Sequence, residues 1–138
     1  MIRRLAIIAA LALLAAFAAA CGAGGGAAKE IKSGTVGGLS VTLANSEGVL
    51  RQGQQEFNVT FRDSAGKTVD VGSASLNFYM PPMGTMAAMN NAATLKTTRT
   101  PGVYRGKAKI EVGGEWQAQV SYEGPAGSGK TSFLVTAQ

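Results

Sequence analysis

The chain has 138 residues, a length that suits one domain, and its 19 glycines and low charged fraction favour strands and turns over helices. It contains no histidine, which excludes Ser/His/Asp and Cys/His catalysis and imidazole metal sites. The formal charge of +5 is not gathered into a cluster with stacking aromatics, so nucleic acid is not an expected partner.

Residues 1–20 read as an export signal. Arg3 and Arg4 precede an apolar run from Leu5 to Ala20, short for a membrane span, and small residues lead into Cys21. The segment resembles a bacterial lipoprotein signal peptide, and Ala18-Ala19-Ala20-Cys21 resembles a lipobox with Ala18 where leucine is usual. That resemblance implies an acylated Cys21 at the head of the mature chain, a membrane anchor, and a periplasmic or extracellular location. Ordinary secretion with an unmodified cysteine is the alternative. The sole cysteine has no intramolecular disulfide partner. Losing Arg3 and Arg4 reduces the 13 basic residues to 11 against 8 acidic ones, a formal charge of +3.

Residues 21–38, with GAGGG and SGTVGG, offer few groups to bury and read as a flexible tether, so the folded domain is expected over 39–138. From there the chain alternates like a sheet. Leu39, Val41 and Leu43 alternate with polar residues, as do Phe57, Val59 and Phe61, and Leu76 with Phe78. Turn clusters at 64–67, 101–102, 112–114 and 124–129 separate about seven strands, which predicts an all-β, immunoglobulin-like antiparallel sandwich. Asn58-Val59-Thr60 matches a glycosylation acceptor but falls in an expected strand and is given no functional meaning. Asp63 and Asp70 flank a turn and could approach one another, yet exposed turn carboxylates are ordinary.

The segment Met80-Pro81-Pro82-Met83-Gly84-Thr85-Met86-Ala87-Ala88-Met89 holds every methionine except Met1. Thioether sulfur is soft, a poor ligand for zinc, calcium or magnesium and a good one for copper(I). Pro81-Pro82 forces an extended start, and a polyproline II path keeps Met80 and Met83 roughly on one side. A turn or short helix across 85–90 would bring Met86 and Met89 together. Met80 continues the alternation of Leu76 and Phe78 and is expected to anchor the strand end in the core. The candidate copper(I) ligands are therefore Met83, Met86 and Met89, with Met80 as a fourth. Two other readings stay open: methionines as adaptable packing, or as a contact surface for a partner.

Tyr104, Ala108 and Ile110 share one face of the next strand, and Arg105, Lys107, Lys109 and Glu111 the other. Trp116, Ala118, Val120 and Tyr122 alternate in the same way. A three-residue loop at 112–114 would make these two strands a hairpin that pairs Ile110 with Trp116. The basic row reads as a solvated face, with contact to anionic lipid as the lesser alternative. Trp116 reads as core, and capping of a copper ion is its lesser alternative.

Gly124-Pro125-Ala126-Gly127-Ser128-Gly129-Lys130-Thr131 fits the P-loop pattern by letter. A P-loop must open a helix, whereas the following Phe133-Leu134-Val135 favours a strand. A hairpin turn and no nucleotide are expected.

NFYMPPMGTM, LKTTRTPGVYRGKAKI and GGEWQAQV together resemble the YtkA-like and FixH-like group of extracytoplasmic domains. The resemblance implies an immunoglobulin-like sandwich and an association with copper handling, with a copper efflux or respiratory oxidase assembly protein as partner. The expected function is a non-enzymatic, lipid-anchored domain that binds or transfers copper(I) through its methionine loop. The alternative is a structural or partner-binding lipoprotein whose loop packs or docks.

Overall fold

A computed structural model describes residues 28–138. The expected signal peptide, Cys21 and the first part of the expected tether, through residue 27, lie outside the described residues. Nine strands follow in order: β1 (Lys29–Val36), β2 (Leu39–Asn45), β3 (Gly53–Arg62), β4 (Ser73–Met80), β5 (Met89–Ala92), β6 (Thr94–Thr97), β7 (Val103–Ile110), β8 (Gly114–Gly124) and β9 (Gly127–Ala137). They form two antiparallel sheets, β1-β2-β3-β7-β6 and β5-β4-β8-β9, and no helix occurs among the described residues. With β1 set aside, the orders β2-β3-β7-β6 and β5-β4-β8-β9 correspond to the A-B-E-D and C′-C-F-G arrangement of an immunoglobulin-like sandwich.

Period-two alternation builds the core. Val41 and Leu43, Phe57, Val59 and Phe61, and Tyr104, Ala108 and Ile110 point inward from the first sheet. Leu76, Phe78 and Met80, then Trp116, Ala118, Val120 and Tyr122, meet them from the second. Edge-to-face aromatic pairs join the sheets, Phe57 with Phe78 and Phe61 with Tyr122, each at 5.8 Å between ring centroids. Gly106 occupies the inward position between Tyr104 and Ala108, because a Cβ there would overlap the Phe57 ring.

Two expectations change. The tether does not extend to residue 38, because Lys29 already begins β1, which pairs with β2 through Val36↔Leu39. Gly34, Gly37 and Gly38 serve packing and turning. Gly34 lies under the Phe133 ring, where a Cβ would come within 2.6 Å of Cδ1, and Gly37-Gly38 makes the β1–β2 turn at φ 55° and 82°.

The expected β7–β8 hairpin is also absent. β7 lies between β3 and β6 in the first sheet, while β8 lies between β4 and β9 in the second. Glu111 to Gly113 therefore carries the chain from one sheet to the other. Two strands that both face the core show the same alternation whether they are sheet neighbours or lie in opposite sheets, so parity alone cannot pair them.

Candidate metal centre

β4 ends inward on Met80, whose side chain is 3 % exposed and whose methyl lies 3.4 Å from where a Cβ on Gly114 would be. Pro81 and Pro82 then supply no backbone N–H, and the regular ladder stops. It resumes at a two-residue turn. The Met83 N–H donates to the Met86 carbonyl at 3.1 Å, and the Met86 N–H to the Met83 carbonyl at 2.9 Å. Gly84 takes the first central position with φ 57°, the positive value that both primed hairpin turns demand. β5 begins at Met89, directly opposite Met80.

The spacing of three is therefore hairpin symmetry. Met83↔Met86 and Met80↔Met89 are two rungs of one ladder, centred on Gly84-Thr85. This replaces the expected polyproline or helical path, and it pairs Met86 with Met83 where Met89 was the expected neighbour. Directly opposed residues point to the same side, with Cβ atoms about 4.5–5.5 Å apart. Two long, flexible thioethers on such a rung can reach a common ion between them.

The rungs differ in burial. Met83 and Met86 are 57 % and 45 % exposed, and every residue from 81 to 88 is exposed. Met80 is core and Met89 is half-buried against it. The outer pair is available to a solute, whereas Met80 is buried in the core and Met89 is only partly exposed.

Other candidate residues are committed elsewhere. Trp116 is fully buried, and its indole N–H donates to the Val112 carbonyl at 3.1 Å, so it belongs to the core. The Asp63 carboxylate accepts from the Ala65 and Lys67 N–H groups at 2.9 and 3.0 Å, and Asp70 from Gly72 at 2.9 Å. Both shape turns. No group of three or more His, Cys, Asp or Glu residues suited to a metal occurs among the described residues. The P-loop lookalike is the β8–β9 hairpin, closed by Gly124↔Gly127 around Pro125-Ala126.

Arg105, Lys107 and Lys109 lie on the outer face of the first sheet, where Lys107 pairs with Glu56 at 3.2 Å. Sequence reasoning missed Asn91, which follows Met89 on the inward side of β5 and whose Nδ2 is buried without a hydrogen-bond partner. Its signal was alternation continued from Met89, two residues before.

A family model described as YtkA-like matches residues 35–121, from the end of β1 through most of β8, and includes the whole methionine hairpin. No curated protein and no solved structure matches the chain.

Proposed function

The chain belongs to the YtkA-like family, and we propose that it is an extracytoplasmic, lipid-anchored, non-catalytic domain that binds or passes on copper(I). The observation that carries this reading is the exposed Met83–Met86 rung. Two soft sulfur donors are presented to solvent on one side of a closed hairpin. Copper(I) suits such a donor set, because it prefers thioether sulfur and accepts low coordination numbers, whereas harder divalent ions do not. Met80 and Met89, three residues farther along each strand, brace the hairpin, and the half-buried Met89 is the candidate for a third donor. The anchor is acylated Cys21, read from the signal-like segment before it. A copper efflux or respiratory oxidase assembly protein fits as the exchange partner. The second reading, supported by the uncharged and exposed run 81–88, is a docking hairpin without metal.

The two separate in one titration. Residues 22–138 are titrated with copper(I) under reducing conditions against a chromogenic competitor, beside the Met83→Leu/Met86→Leu variant. Leucine keeps the apolar volume and deletes the sulfur. A loss of affinity of at least about tenfold, roughly 1.4 kcal/mol, is expected in the variant. Equal binding by both proteins would sink the metal site and leave docking.

A further inference from the structure

The methionine hairpin lies at the end of the sandwich where the chain enters from Cys21. Gly48, in the β2–β3 loop, sits beside Lys29 at the start of β1, a Cβ there falling 3.1 Å from the Lys29 Cβ. Leu50 in the same loop bridges to Ala137, and Ala137 pairs with Gly114, beneath the Met80 methyl. The turns at 37–38, 64–66, 101–102 and 125–126 lie at the opposite end, about 30 Å away for strands of this length.

The eight steps from Cys21 to Lys29 span at most about 29 Å at full extension. An acylated Cys21 therefore holds the domain within about its own length of the bilayer. Turning the far end to the membrane would require those eight steps to run fully extended along the whole sandwich. The entry end also carries the surface best suited to lipid. Pro81, Pro82, Met83, Gly84, Thr85, Met86, Ala87 and Ala88 are all exposed and uncharged, and the two prolines bring no backbone N–H to desolvate.

We propose that the tip of this hairpin rests in the headgroup region of the bilayer that holds the anchor, with Met83 and Met86 as its contact side chains. The inference uses the acylation of Cys21 from the reading above and does not depend on copper. It places the exposed thioether pair at the membrane surface, where an acceptor of their metal would have to meet them.

The test uses the full chain, processed in a bacterial host and reconstituted into vesicles of phosphatidylethanolamine and phosphatidylglycerol. Intact mass first reports the lipid on Cys21. An environment-sensitive fluorophore is then attached in turn to Thr85→Cys at the tip, Ser64→Cys at the far end, and Thr94→Cys. Thr94 lies beside Lys107 on the basic face. All three positions are exposed, and lipid acylation occupies the Cys21 thiol. Quenching by brominated lipid at position 85 is expected to exceed that at 64 and 94 by about twofold or more, with a blue-shifted emission, for a group entering the headgroup layer. Equal quenching at the three sites, or greatest quenching at 64, overturns the proposal. Greatest quenching at 94 does so too, and lays the basic sheet on the membrane instead. An unlipidated Cys21 removes the anchor and this inference together, while leaving the copper titration as it stands.

Discussion

Met83 and Met86 face one another across a two-residue turn and exchange both backbone hydrogen bonds, at 3.1 and 2.9 Å, while the equally spaced Met80 is shut inside the core. Chemically identical side chains therefore have different roles, and truncation should separate them. Met80→Ala removes packing over Gly114 and is expected to cost about 2–5 kcal/mol in denaturant unfolding. Met83→Ala and Met86→Ala are expected to stay within about 0.5 kcal/mol of the parent, because each leaves a solvent-facing side. A large stability loss at Met83 would show that the hairpin packs in solution and does not project.

Gly84 tests whether the rung itself matters. Its φ of 57° lies where an L side chain is strained by about 1–2 kcal/mol, and no heavy atom within 4 Å would hinder an added Cβ. Gly84→Val should therefore loosen the turn without touching the core. The expected result is weaker copper(I) binding at unchanged global melting temperature. Unchanged affinity would mean that the sulfurs need no fixed register.

Gly106 is the inverse case, a glycine required for space. Phe57 lies over it and stacks edge-to-face on Phe78 in the other sheet. Gly106→Val should displace that ring and destabilise the fold by about 1–3 kcal/mol or more, read as a lower denaturant midpoint. Phe57→Leu in the Gly106→Val background should recover part of the loss, since the smaller side chain makes room for the added methyls.

Much of this sandwich was legible because its central strands bury one face. Leu39 to Leu43, Phe57 to Phe61, Leu76 to Met80 and Trp116 to Tyr122 all alternate, and all point inward as read. What alternation does not carry is the partner of a strand. Ile110 and Trp116 fit a hairpin by parity yet belong to different sheets. Three of the four edge strands were the least visible. β1 buries little beyond Val36, and β5 and β6 have four residues each, so neither hydrophobic period nor length marked them. In the methionine segment the residue types were informative but the spacing misled, because a period of three also suits a helix or a polyproline path. The deciding signal was local: Gly84-Thr85, a turn pair with residues of one kind on either side.

Tyr104 gives a pH signature of the core. Burial, and secondly the Asp70 carboxylate, push its phenol above the ordinary value of 10.0, and its hydroxyl donates to the Gly72 carbonyl at 2.7 Å. A raised folded pKa means that the unfolded chain releases the proton first. The contribution to stability is complete below pH about 10 and is lost as pH rises through the folded value. Tyr104→Phe should lower stability by about 1 kcal/mol at neutral pH through the lost hydrogen bond. The gap between variant and parent should then narrow above pH 10. Parallel curves up to the alkaline limit would show that Tyr104 does not ionise with unfolding.

Asn91 points to a substitution that should stabilise. It sits inward on β5 opposite Phe78, and its Nδ2 is buried without a partner. Such a donor loses its water on folding and gains no replacement, which costs about 1–3 kcal/mol. Asn91→Val removes the donor and puts a β-branched side chain on a half-buried strand, where it packs well. A higher melting temperature is expected, by about 4–8 °C per kcal/mol regained in a domain of this size. Copper(I) affinity should hold, because Met83 and Met86 lie at the far end of the same hairpin and their turn is closed by its own hydrogen bonds. A fall in stability would mean that the Asn91 amide has a partner in solution, and a fall in affinity alone would tie it to the methionine rung.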